Sequence, residues 1–152
     1  MNNSPTASTT LYSHDKYYTD VNVGNHNLVL DEPESAGGTD KGPNPVETAL
    51  SALASCTAMT VKMYLQHKGW SHGDIKVNIY FENMRVSKET ELSEEEQQFV
   101  IGARLRRIHK EIFVGGDFDE KQYKRMEKIS KKCPVNQMMM GSCLISDEVG
   151  GL

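Results

Sequence analysis

The chain reads as a single domain that mixes helices with strands, and three observations predict it. Thr48 to Val61 carries no charged side chain. Asp74 to Phe81 alternates, with Ile75, Val77, Ile79 and Phe81 set against Lys76, Asn78 and Tyr80. Asp119 to Lys132 is a lysine-rich amphipathic stretch that meets Pro134. The first and third patterns belong to helices, and the second is the period-two signature of a half-buried strand. A length of 152 residues suits one domain with a sizeable core.

Taken in order, residues 1–10 are small and polar and read as a disordered tail, leaving 11–152 as the domain. Leu11 to Leu30 is rich in Tyr, Val and Thr, and Asn27–Leu30 reads as a strand entered through the turn Gly24-Asn25-His26. Asp31 to Asn44 is a loop, with Gly37-Gly38 as its expected flexible point. Asn44-Pro45-Val46-Glu47 then opens a helix. Asn44 caps it, Pro45 takes the first position, and Glu47 completes a capping box. Small residues alternate with Leu50, Leu53, Val61 and Leu65, which predicts burial on most sides. Gly69 ends the helix.

Arg85 to Gln98 is charged, includes Glu94-Glu95-Glu96, and reads as a solvated excursion, partly helical after Ser93. Arg104 to Val114 fits both periods, but Ile112-Phe113-Val114 before Gly115-Gly116 favours a strand ending in a turn. The helix over 119–132 turns Tyr123, Met126 and Ile129 inward until Pro134 breaks it. A short helical turn through Met138–Met140 and a last strand, Cys143 to Val149, complete the chain.

Bulk properties exclude several classes. A net charge of −4 and a pI near 5.7 oppose sequence-blind nucleic-acid binding, which needs a basic surface. No run is long enough to span a membrane, so no membrane partner is expected. Residues 1–10 lack the features of a secretory signal, and three cysteines then suit a reducing compartment, by default the cytoplasm. His14, His26, His67, His72 and His109 are scattered, without metal-ligand spacing, so no metal is expected.

The candidate chemistry lies in two cysteines. Cys133 precedes Pro134 and can cap the next short helix, where N–H groups would favour its thiolate; the end of the preceding helix would oppose this. Cys56 lies mid-helix among apolar residues, where a cysteine is usually an inert small hydrophobe. If the two meet, they form a pair able to cycle between dithiol and disulfide. Glu47 is the acid nearest Cys56 in sequence, but at about 100° per residue the two fall on nearly opposite helix faces. It reads first as a cap.

Four segments carry a resemblance. They are Gly37-Gly38-Thr39-Asp40-Lys41-Gly42-Pro43-Asn44-Pro45, Ala52-Leu53-Ala54-Ser55-Cys56-Thr57-Ala58-Met59-Thr60, Lys68-Gly69-Trp70 and Cys133-Pro134-Val135. Together they resemble the OsmC/Ohr family of osmotically inducible and organic-hydroperoxide-resistance proteins. The resemblance implies an α+β fold built as an intertwined homodimer, its long central helices packed between curved antiparallel sheets. It implies that Cys56 attacks an organic hydroperoxide, that Cys133 resolves the sulfenic acid to a disulfide, and that an external dithiol restores the pair. It also implies a catalytic role for Glu47, and it calls for no flavin, haem or metal cofactor. Two positions depart from the family pattern. No Arg precedes Arg85 to hold the thiolate, and Val46 follows the Asn-Pro motif where the family has its Glu, with Glu47 one later. Two other readings stay open: a non-catalytic scaffold binding a small hydrophobic ligand, and a redox sensor.

Overall fold

A computed structural model describes residues 7–141, 143–147 and 149. The chain forms two compact units, Met1–Ser51 and Ala52–Leu152, where the sequence reads as one domain. A single helix, α1 (Pro45–Lys68), runs through the boundary between them.

The first unit holds an antiparallel sheet in the order β1 (Ala7–Thr10), β2 (Thr19–Val23), β3 (His26–Leu30). The expected tail is therefore shorter than ten residues, because Ala7–Thr10 pairs with Val23–Asp20. All four side chains of β1 are exposed, so backbone bonding to an edge holds this strand and no apolar pattern announces it. The loop after β3 is built around Asp31, which is 1% exposed. Its carboxylate accepts the N–H groups of Glu32, Thr39 and Lys41 at 2.8, 3.0 and 3.2 Å, and the Thr39 hydroxyl at 2.5 Å. Gly38 is needed there for close approach. A Cβ at that position would lie 1.8 Å from the Glu32 carbonyl oxygen.

Helix α1 begins and ends on the expected signals. Asn44 Oδ1 accepts the Glu47 N–H, and Glu47 returns the bond to the Asn44 N–H, both at 2.9 Å. At the other end Gly69 is left-handed (φ 65°), with Gly69 N–H on Gln66 and Trp70 N–H on Leu65, closing the last carbonyls. Burial is narrower than expected. One stripe at i, i+4 spacing is covered, Leu53, Thr57, Val61 and Leu65, while Met59 and Met63 are exposed.

The second unit contains a sheet ordered β4 (Ile75–Arg85), β6 (Arg104–Val114), β5 (Val100–Ile101). Strand β6 has the residue bounds the sequence reading gave, and its register sets Ile75 opposite Val114 and Val77 opposite Ile112. Ser93 caps the short α2 (Glu94–Gln97) with a full capping box inside the charged excursion. Helix α3 (Glu120–Ser130) starts from an Asp119 capping box, and α4 (Pro134–Met139) follows. Val61, Leu65 and Met126 form the core, with Trp70, Ile75, Ile112, Val114, Phe118 and Ile129 against them. A fully buried Val or Leu contributes roughly 1.5–3 kcal/mol. Tyr123, expected inward, is half exposed and meets Phe118 edge-on instead. The expected strand at Cys143–Val149 does not form among the described residues Cys143–Asp147. Nothing pairs with them, and Leu144 and Ile145 are exposed; residue 148 lies outside the described residues.

Among the described residues, no helix is long and apolar enough to cross a membrane.

Candidate active site

Cys133 sits where one helix must stop and another begins. Pro134 cannot continue α3, so Cys133 takes an extended conformation (φ −58°, ψ 134°) and becomes the N-cap of α4. Its sulfur accepts the Asn136 N–H at 3.3 Å. Thr57, on the buried stripe of α1, directs its hydroxyl to the same sulfur at 4.0 Å. Thr57 and Cys133 are both fully buried. Cys56, one residue earlier on α1, is only partly buried, and it lies near enough to Cys133 for each thiol to shift the other's ionisation. Two of the three expected site residues therefore meet. Glu47 is exposed, with its carboxylate on the Asn44 N–H, and Cys143 is exposed as well.

The environment separates the two thiols. Burial pushes Cys56 up, and its hydrogen bond to Cys133 pushes the same way, against the weaker help of the Val135 N–H and the Thr60 hydroxyl. Burial acts to raise Cys133 too, but hydrogen bonds from Cys56, the Asn136 N–H, the Thr57 hydroxyl and the Val135 N–H outweigh it. Cys133 is lowered. The two titrate jointly, so the first negative charge belongs to the pair.

A further residue belongs to this cluster and was missed in the sequence reading. Lys110 on β6 is half-buried, and its ammonium donates to Asn136 Oδ1 at 2.8 Å and to the Ser130 carbonyl at 3.5 Å. The signal was available, since Lys110 interrupts the strand face shared by Ile108, Ile112 and Val114.

A cavity of about 560 Å³ opens beside the cluster. Leu53, Phe81, Leu105, Ile108 and Met139 form its apolar wall, and Lys110 and Asn136, with Glu95, Glu96, Arg106 and Arg107, give it a polar edge; neither sulfur lines it. Among the described residues, no three of His, Cys, Asp and Glu gather as metal ligands would.

The family model for OsmC-like protein matches residues 38–146. Among solved structures, the chain is similar to an organic hydroperoxide resistance protein from Elizabethkingia anophelis, at 14% identity and a TM-score of 0.66 over 93% of this chain and 91% of that one. An OsmC-like protein from Mycoplasma pneumoniae aligns at 20% identity and a TM-score of 0.63, over 93% and 91%. An organic hydroperoxide resistance protein OsmC from Legionella pneumophila aligns at 12% and 0.61, over 93% and 92%. At these identities the likeness establishes the fold, α+β with two antiparallel sheets and a long helix. No curated protein matches the chain in sequence.

Proposed function

Because this chain belongs to the OsmC-like protein family, we propose that it is a thiol-dependent reductase of organic hydroperoxides acting through Cys56 and Cys133. The observation that carries the reading is that the buried Cys133 sulfur lies against α1 at Thr57, the residue after Cys56, with the two thiols shifting each other's ionisation. Cys133 is sealed from solvent and Cys56 is not, so Cys56 is the sulfur a substrate can reach. The S–H of Cys56 passes its proton to the Cys133 thiolate. Cys56, now the thiolate, attacks the terminal oxygen of the hydroperoxide; the O–O bond breaks, and the alkoxide leaves and is protonated to the alcohol. The product on Cys56 is a sulfenic acid. Cys133 then displaces its hydroxyl as water to give the disulfide, and an external dithiol returns both thiols at the cost of its own oxidation.

The working unit in this reading is a homodimer in the cytoplasm. The uncharged face of α1 leaves Met59 and Met63 64% and 69% exposed, and a second copy would cover it. The test is turnover of an alkyl hydroperoxide with a dithiol reductant. Cys56→Ser should abolish it, and wild-type turnover in that variant would overturn the mechanism. The apolar cavity beside Lys110 favours a second reading, a carrier of a small hydrophobic ligand. A bound apolar molecule, together with no disulfide on peroxide treatment by mass spectrometry, would select it.

A further inference from the structure

A lysine at a core-facing strand position is costly, because its ammonium must be desolvated and its long side chain ordered. Lys110 occupies such a position, opposite Ile79 in the register of β4 and β6. Its two acceptors, the Ser130 carbonyl and Asn136 Oδ1, lie three residues before and three residues after Cys133. Asn136 links lysine to sulfur, since its side chain takes the ammonium while its N–H binds Cys133.

Among the described residues, no carboxylate comes within ion-pair distance of Lys110; Glu95 lines the same cavity without an ion pair, and the other nearby acids have partners. Glu96 pairs with Arg107, Glu120 with Lys124, and Glu127 with Lys131. Of the charges that act on Lys110, the two thiols favour its ammonium form, while burial, the largest influence, and Lys131 oppose it. Among those influences the thiol pair is the source of negative charge, and Asn136 joins the ammonium to it.

We propose that Lys110 is the cation of this site: held by Asn136 and Ser130, its ammonium balances the one negative charge shared by Cys133 and Cys56. This assignment deepens the hydroperoxide reading and rests on it for its purpose. Lys110 acts on the sulfurs as a positioning residue, keeping the pair singly ionised at neutral pH so that a thiolate is ready when substrate arrives.

The experiment is a pH titration of thiolate ultraviolet absorbance in a Cys143→Ser background, which leaves the pair as the only thiols. Lys110→Met should raise the first midpoint by about one pH unit, a tenfold loss of thiolate at a fixed pH below it. Lys110→Arg, which keeps the charge, should return the midpoint toward wild type. Asn136→Ala should shift it in the same direction as Lys110→Met, by less. A Lys110→Met protein that titrates like wild type overturns the proposal, and so does an arginine variant that titrates like the methionine one. Should Lys110→Met fail to fold, a wild-type midpoint in Asn136→Ala overturns it instead. Hydroperoxide turnover on the same samples keeps the two readings apart. A protein that titrates as expected but reduces no hydroperoxide defeats the function and leaves the Lys110 assignment. A working reductase whose midpoint ignores Lys110 does the reverse.

Discussion

Asp31 and Cys133 are both sealed from solvent, and each gathers a ring of hydrogen-bond donors. Asp31 is held below the usual carboxylate range first by the Thr39 hydroxyl, then against burial by the N–H groups of Lys41, Glu32 and Thr39. All of these come from one loop. The donors to Cys133 come from α1 and α4, elements far apart in sequence. The acids also differ in kind. A carboxylate is ionised at neutral pH without help, so its donors shape the chain and change nothing chemical. A thiol is mostly protonated there, so its donors decide whether it reacts. A second acid, Cys56, stands beside Cys133, and in the proposed reaction the two exchange a proton. The same physical device fixes a loop in one unit and gathers donors around a thiol in the other.

The largest expected effect breaks the thiol ring. Cys133→Ser removes both the proton acceptor and the sulfur that closes the disulfide. Turnover should fall on the order of a hundredfold, the scale of losing a positioned proton acceptor. Peroxide should then leave sulfinic acid on Cys56, detectable by mass, because nothing traps the sulfenic acid. Retention of wild-type turnover without sulfinic acid would show that the two sulfurs do not act together.

Breaking the carboxylate ring should cost stability and little else. Asp31→Asn keeps the shape but loses the charge that Thr39 and Lys41 solvate, so the melting temperature at neutral pH should fall by a few degrees. The sign with pH follows from the lowered value. The stabilisation is present above the unfolded carboxylate value of about 3.9 and is lost as pH falls through the lower folded value. Wild type and variant should therefore converge in melting temperature on acidification. A gap that stays constant from neutral to acid would refute the assignment of this stability to the Asp31 charge.

This contrast also explains how much could be read from the residues. Asn44-Pro45-Val46-Glu47 and Gly69 set the ends of α1 through local bonds, so they were legible, as was the β6 strand before Gly115-Gly116. The Cys133 cap was legible for the same reason, since Pro134 forces a break and leaves N–H groups free. What depends on distant contacts was not. Ala7–Thr10 is a strand because β2 offers it an edge. Asp31 looked like one more loop acid, since its burial arises when Thr39 and Lys41 fold back over it. Lys110 was hidden by its neighbours, a charge in a charged stretch, until the strand parity is followed and Lys110 falls among Ile108, Ile112 and Val114. Even then, only the tertiary fold shows that this face meets Ser130 and Asn136.

Glu47 should give the smallest effect, and it separates capping from chemistry. Its carboxylate is occupied by the Asn44 N–H at the start of α1, where a negative charge also suits the helix dipole. Glutamine at this position can still complete a capping box, so Glu47→Gln loses mainly the charge, about 0.3–1 kcal/mol at an exposed helix start. Turnover measured under saturating reductant should stay near wild type, with a slight drop in melting temperature. Glu47→Ala should lower the melting temperature further, because the Asn44 N–H then loses its partner. If Glu47→Gln instead removed turnover while melting at the wild-type temperature, the carboxylate would have to reach a thiol in the assembled protein. The cap would then be the lesser part of its work, and the proton path from Cys56 to Cys133 would need a third member.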